Sequence, residues 1–134
     1  MKRAGGGAIL NLASIASLIG LVDRFAYSMS KGAVLAMTRS IAVDFIGDKI
    51  CCNCVCPARV HTPFVDGYLR NTYPGREAEM FKQLSGYQPV GRMGTPEEVA
   101  ALVFTYARMK HRLSPDRLIQ LMTECWSFRT EPLR

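Results

Sequence analysis

The sequence has 134 residues, of which 49% are hydrophobic and 21% are charged, so it has the size and composition of one globular domain. Disorder, collagen and coiled coil are thereby excluded as descriptions of the whole chain. The net charge of +6 is mild, and the densest basic stretch, residues 108–117, has no Phe, Tyr or Trp within it, so we expect no nucleic-acid partner.

The first 22 residues imitate a targeting segment, because Met1-Lys2-Arg3 precedes the uncharged run 4–22. Glycines and polar residues interrupt this run, and its apolar block, residues 8–10, is too short for the core of a signal peptide. A buried strand and a loop explain the segment better. A membrane-anchored or secreted protein is the alternative, which cell fractionation would test.

The next elements are those of a parallel βαβ unit. Residues 8–12 form a short buried strand, followed by a helix from about residue 24 to 45. Asp23 or a neighbour is predicted to cap this helix and Gly47 to end it. Residues 50–55 form a second buried strand, so the two strands are expected to be parallel with a right-handed crossover.

The second half of the chain is predicted to be helical. Its clearest helix start combines Thr95 as N-cap, Pro96 in the first turn and the capping-box residue Glu98. The predicted helices are residues 64–70, 76–84, 95–109 and a last one that begins at Ser114-Pro115.

Five cysteines, four of them within residues 51–56, raise the alternative of a zinc or redox site. Cys51 and Cys54 form a C-x-x-C, but residues three apart on a strand point to opposite faces, and no second C-x-x-C follows. We therefore expect these cysteines to be small buried hydrophobic side chains, and we expect no metal site. The odd number of cysteines favours a reducing compartment such as the cytoplasm.

Three side chains are candidates for chemistry. Tyr27 and Lys31 are four residues apart on the predicted helix and share one face. A tyrosine is a poor base at neutral pH, but a neighbouring ammonium stabilises its phenolate form, so the pair is a plausible general acid/base. Ser14 follows the first strand, where open α/β sheets bind ligands. Many solvated helix faces carry the same tyrosine–lysine spacing by chance, so the pair alone is weak evidence.

Five motifs stand in the order that a known family has. They are Asn11-Leu12-Ala13-Ser14, Tyr27-Ser28-Met29-Ser30-Lys31, Asn53-Cys54-Val55-Cys56-Pro57, Val60-His61-Thr62 and Gly91-Arg92-Met93-Gly94-Thr95-Pro96-Glu97-Glu98-Val99-Ala100. Over about residues 7–103 the chain therefore resembles a short-chain dehydrogenase/reductase. The resemblance implies an α/β fold with a doubly wound, Rossmann-like parallel sheet, and hydride transfer between NAD or NADP and a small alcohol or ketone.

The same resemblance implies a role for each matching residue. Tyr27 would be the catalytic acid/base, Lys31 would stabilise its phenolate and bind the nicotinamide ribose, and Ser14 would polarise the substrate oxygen. Residues 64–88 would form the substrate lid. The residues that would contact the cofactor are Tyr27, Lys31, Pro57, Val60 and Thr62.

The chain departs from the family at both ends. Gly5-Gly6-Gly7 precedes a strand, so it cannot be the glycine-rich strand-to-helix turn that cradles a pyrophosphate. Pro57-Ala58 stands where the family has Pro-Gly, and alanine adopts a positive φ only at a cost. We interpret residues 1–105 as the C-terminal portion of the family's domain, lacking its first strands, and residues 106–134 as a divergent helical tail.

Two expectations follow from these departures. The 134-residue chain would bind a dinucleotide weakly, and its oxidoreductase activity would be impaired. The alternative is a non-catalytic form that associates with full-length subunits. In either case, the resemblance to the family implies that the Tyr27-bearing helix would form the contact between subunits of an oligomer.

Overall fold

A parallel pair of strands with a helix between them forms the centre of the protein, and the computed structural model describes residues 1–108. In chain order the strands and helices are β1 (Gly7–Leu12), α1 (Phe25–Asp44), β2 (Ile50–Val55), α2 (Pro63–Thr72), α3 (Glu77–Gly86) and α4 (Pro96–Arg108). Short 3-10 helices lie at Lys2–Ala4, Ile15–Ser17 and Ile46–Asp48. The helix predicted from Ser114 and most of the predicted tail lie outside the described residues.

The two strands pair in parallel, with Gly7 opposite Ile50 and Leu12 opposite Val55. Pairing continues past the strand ends, because Ala13 N donates to the Val55 carbonyl oxygen at 2.9 Å. Both predicted strands and the parallel βαβ unit are thereby confirmed. The expectation that the first strand is buried is wrong, because every residue of β1 is half-buried or exposed, with Leu12 51% exposed.

The predicted ends of α1 are wrong in their details. Asp23 lies in the left-handed region, at φ 55°, and makes no capping bond, while Arg24 is the N-cap and also lacks a side-chain cap. At the other end α1 finishes at Asp44, before Gly47 is reached. The left-handed residue that redirects the chain into β2 is Lys49, at φ 57°.

The core lies between β2 and α1. Cys52 and Cys54 of β2 are buried, and Thr38 and Ala42 are the buried residues of α1. A polar bond also joins α1 to β1, because Asn11 Nδ2 donates to Thr38 Oγ1 at 2.9 Å. The apolar residues at helical spacing on α1 predict that Met37 faces the core, but Met37 is 47% exposed and its neighbour Thr38 is buried.

The glycines before β1 serve a tight turn, as the sequence predicts. Gly6 has φ 123°, and a Cβ at this position would lie 2.5 Å from the Lys49 carbonyl oxygen, so only glycine lets the two segments approach. Within residues 1–108, no helix is both long enough and apolar enough to cross a membrane.

The predicted capping box at the start of α4 is confirmed. Glu98 N donates to Thr95 Oγ1 at 3.3 Å, and Thr95 N donates to Glu98 Oε2 at 2.8 Å. The Arg92 guanidinium binds both oxygens of Glu98, at 2.9 and 2.5 Å. Hydrogen bonds from Arg92 and from the Thr95 backbone lower the pKa of Glu98 to about 2.

This lowered pKa predicts acid sensitivity at the start of α4. A carboxyl group whose pKa is lower in the folded state stabilises the fold above its unfolded pKa, and that contribution disappears as the pH falls towards 2. The urea stability advantage of wild type over Glu98→Gln should therefore be largest at pH 6 to 7 and shrink below about pH 4.5. A stability difference between wild type and Glu98→Gln that does not change with pH would contradict its assignment to the ionised Glu98 carboxylate.

Candidate active site

Ser14 lies at the carboxyl edge of the sheet, immediately beyond β1. It is buried in extended conformation, and its Oγ accepts a hydrogen bond from Ala16 N at 3.2 Å. The next residue, Ile15, donates from its backbone N to the Pro57 carbonyl oxygen at 3.0 Å, which joins the segments that follow β1 and β2. Ser14 and Pro57 are therefore brought together at the edge where ligands of parallel sheets bind.

Tyr27 and Lys31 stand one turn apart near the beginning of α1, as predicted. The Lys31 ammonium donates to the Leu12 carbonyl oxygen at 3.0 Å, so the helix is tied to the last residue of β1. Lys31 Nζ also lies 5.9 Å from the centre of the Tyr27 ring. Tyr27 is 46% exposed, which leaves its side chain open to a ligand. The roles of Ser14, Tyr27 and Lys31 stay predictions.

The loop after β2 is held in place by backbone bonds. Val60 forms a parallel bridge with Gly94, supported by His61 N donating to the Gly94 carbonyl oxygen at 2.9 Å. Thr62 is the N-cap residue of α2, but its side chain makes no capping hydrogen bond. Ala58 is not among the described residues with positive φ, so the loop forms here without the glycine conformation.

His61 connects this loop to the two helices that follow it. Its Nε2 lies 2.8 Å from Asp66 Oδ1 on α2, and its ring packs edge-on against Phe81 of α3, with the centroids 4.9 Å apart. The loop, α2 and α3 are therefore joined by contacts of one side chain, which the sequence alone did not predict.

The thiols of Cys54, on β2, and of Cys56, just after it, lie in two different environments. Hydrogen bonding with Cys56 and burial raise the pKa of the Cys54 thiol. Hydrogen bonding from Cys54 is the main cause that lowers the pKa of Cys56 to about 6, with burial opposing it and Ser17 assisting. Ser17 Oγ lies 3.6 Å from Cys56 Sγ. The four cysteines within residues 1–108 are free, and no cluster suited to a metal ion is found in that range.

The lowered pKa of Cys56 predicts unusual thiol reactivity. Because the thiolate is the reactive form, iodoacetamide should alkylate Cys56 with a rate that is half-maximal near pH 6. Cys54 should react last, since its pKa is raised. Peptide mass spectrometry over pH 5 to 9 measures both rates, with Cys56→Ser as the control. Alkylation of Cys56 that begins only above pH 8 would contradict the assignment.

Two arginines near the site were not singled out by the sequence. The Arg24 guanidinium lies over the Tyr68 ring, 5.7 Å from its centroid, although the residues are far apart in the chain. Arg59 is partly buried in the loop after β2. The only sequence signal for Arg24 is its place three residues before Tyr27, and no spacing rule predicts its contact with α2.

The residues present fit the nicotinamide side of a dinucleotide. The Lys31 ammonium has three hydrogens and gives one to the Leu12 carbonyl oxygen, so two remain for ribose hydroxyls. The Thr62 hydroxyl is not used for capping and stands at the beginning of α2, where backbone N–H groups favour phosphate. Within residues 1–108 the glycine-rich turn needed for the adenosine side is absent, because Gly5, Gly6 and Gly7 lead into β1.

Residues 1–112 match a family model described as Enoyl-(Acyl carrier protein) reductase. Among curated proteins, the chain is 38% identical over 104 residues to 2-keto-3-deoxy-L-fuconate dehydrogenase of Xanthomonas campestris, covering 77% of this chain and 34% of that protein. It is 44% identical over 103 residues to Dehydrogenase/reductase SDR family member 6 of Danio rerio, covering 76% of this chain and 41% of that protein. The chain belongs to the short-chain dehydrogenase/reductase family.

Solved structures of this family have the same fold. Aldohexose dehydrogenase of Thermoplasma acidophilum superimposes with a TM-score of 0.72 at 34% identity, over 80% of this chain and 43% of that one. L-sorbose reductase of Gluconobacter frateurii, complexed with NADPH and L-sorbose, superimposes with a TM-score of 0.77 at 25% identity, over 85% of this chain and 46% of that one. The family is one of oxidoreductases that use NAD or NADP, and the short-chain dehydrogenase/reductase described here shares its Rossmann-type fold. It spans about two fifths of the length of the curated relatives it matches.

Proposed function

We propose that this chain supplies the proton-transfer half of a hydride-transfer site, acting on a small alcohol or ketone with NAD or NADP. The observation that supports this most is the 3.0 Å bond from Lys31 to the carbonyl oxygen of Leu12. It fixes Lys31, and Tyr27 one turn before it, beside the carboxyl end of β1, two residues from Ser14. This contact supports our proposal that the three predicted residues act together at one edge of the sheet.

Each residue then has a separate task. The cofactor supplies or accepts the hydride when it is bound. In the reduction direction, the Tyr27 hydroxyl donates its proton to the substrate oxygen as that oxygen gains charge. The Ser14 hydroxyl donates a hydrogen bond to the same oxygen, while Lys31 binds ribose hydroxyls and stabilises the phenolate that remains. Oxidation uses the same groups in reverse.

The cofactor-binding residues proposed here are Tyr27, Lys31, Pro57, Val60 and Thr62. Because residues 1–108 contain no adenosine-side cradle, we expect the 134-residue chain to bind NADH and NADPH more weakly than micromolar, with impaired turnover as the result. Fluorescence titration of both nucleotides tests this. Micromolar binding of either would contradict it. The free thiols fit a reducing compartment, and we place the protein in the cytoplasm.

Ser14→Ala is the variant that tests the proposed mechanism. Loss of one hydrogen-bond donor to the developing oxyanion should reduce ketone reduction by about 10²–10³-fold. Ser40→Ala, on the exposed face of α1, is the matched control and should retain wild-type activity. Equal activity of the Ser14 and Ser40 variants would contradict the role of Ser14.

The second candidate function is association with longer subunits of the same family. One observation favours it, since α1 exposes large apolar side chains, Phe25 at 83% and Val43 at 65% among them. Val43→Lys should abolish co-purification with a longer family member from the source cells. Phe64→Lys, at a still more exposed apolar position on α2, should not. Loss of co-purification in both variants would indicate a general effect of added charge.

A further inference from the structure

Two arginines near the candidate site have no carboxylate partner among the described residues. The ion pairs found within residues 1–108 are Lys2–Asp48, His61–Asp66, Arg76–Glu79 and Arg92–Glu98. Arg24 donates instead to the carbonyl oxygen of Asp23, at 3.2 Å. A guanidinium has five N–H donors, so most of the donors of Arg24 remain for another partner.

Arg59 is in a less favourable environment than Arg24. Burial is the largest cause that lowers the pKa of its guanidinium; the Tyr68 phenol opposes this, and the positive charge of Arg24 lowers it further. Arginine nevertheless stays charged in proteins. The two positive charges therefore repel each other, and burial removes one of them partly from water. An anion bound between them would offset both the repulsion and the lost hydration.

Tyrosines complete this group of side chains. Tyr68 lies under Arg24, and its ring meets that of Tyr73 edge-on, with the centroids 6.1 Å apart. Hydrogen bonding with Tyr68 raises the pKa of Tyr73. Phenol hydroxyls donate hydrogen bonds to anions.

The group lies beside the reacting residues. Arg24 is the N-cap of α1, three residues before Tyr27. Arg59 is two residues after Pro57, which bonds to the segment that contains Ser14. Tyr68 belongs to α2, which begins at the end of the same loop. A substrate held at Tyr27 would therefore have a second part within reach of these side chains.

We propose that Arg24 and Arg59, assisted by Tyr68 and Tyr73, bind an anionic group of the substrate. The alcohol or ketone then belongs to a molecule that also has a carboxylate or a similar oxyanion, because planar guanidinium groups bind such oxygens in pairs. This inference rests on the proposed function. A second source of an oxyanion near this loop is the pyrophosphate of the cofactor, and the experiment separates the two.

The test compares levulinate with methyl levulinate, which keeps the ketone and removes the charge. Calorimetric titration of the 134-residue protein, without cofactor, should give an affinity for levulinate roughly tenfold or more above that for the ester, as expected for charged hydrogen bonds. Arg24→Gln and Arg59→Gln should each abolish this preference and leave ester binding unchanged. Arg39→Gln, about 22 Å further along α1, is the matched control.

Several outcomes would overturn the inference. They are equal binding of acid and ester, no binding of either, and an equal loss in Arg39→Gln. A loss of NADH affinity in Arg59→Gln, with levulinate binding unchanged, would assign the arginine to the cofactor instead. Thermal melting shows whether each variant folds, and Arg24 is exposed, so its variant tests binding even if Arg59→Gln is unstable. Turnover is not measured, so failure of catalysis leaves this result intact.

Discussion

Tyr27→Phe should lower the rate of ketone reduction by about 10²–10⁴-fold, the usual contribution of a general acid. The substitution removes only the hydroxyl, and the ring near Lys31 Nζ is retained. The side chain is nearly half exposed, so the loss should appear in the catalytic rate while the melting temperature changes little. Single-turnover measurement with excess NADPH and ketone gives this rate directly.

The matched control for this variant is Tyr87→Phe. Tyr87 is also exposed, and its hydroxyl accepts a hydrogen bond from Gln83 Nε2 at 3.2 Å. It should keep wild-type chemistry. If Tyr27→Phe retained wild-type turnover, Tyr27 would not be the proton donor. If the wild-type chain showed no turnover, association with longer subunits would remain as its function.

Leu69→Ala should have the largest effect on stability, a loss of about 2–5 kcal/mol in the free energy of unfolding. The Leu69 side chain is only 3% exposed and is the buried residue of α2. Because α2 also contains Tyr68 and Asp66, the substitution should loosen the contacts with Arg24 and His61. Urea unfolding followed by circular dichroism measures the change.

Leu102→Ala provides the comparison. It removes the same atoms from a side chain that is 43% exposed, on α4, so the change in stability should stay within about 0.5 kcal/mol. Leu69→Ala should have a second consequence. If α2 positions Tyr68, the variant should bind levulinate no more tightly than methyl levulinate. If Leu69→Ala lowered the free energy of unfolding by less than about 1 kcal/mol, packing of Leu69 would not be what stabilises α2.

The sequence was sufficient for the features that rest on local patterns. The parallel pairing of β1 with β2 follows from two apolar segments with a helix between them. The capping box of Thr95 and Glu98 is present as its spacing requires. The motifs around Ser14, Tyr27 and Lys31 led to the family, which the comparisons confirm.

Other features depend on tertiary contacts that no local pattern contains. Gly47 was expected to end α1, but the turn is made by Lys49, a residue that adopts positive φ only at a cost. The bond from Lys31 to the Leu12 carbonyl and the stacking of Arg24 on Tyr68 join residues that are distant in sequence. The second contact could not be foreseen, because it requires the position of α2 relative to α1.

The measurement that tests the central claim most directly is deuterium transfer from nicotinamide-deuterated NADPH to a ketone. Mass spectrometry of the product detects a few turnovers, so it applies even to a chain that binds its cofactor weakly. We expect deuterium at the carbinol carbon with the wild-type protein and none above background with Tyr27→Phe. No label with the wild-type protein, or equal label with both, would contradict the assignment of this site to hydride transfer.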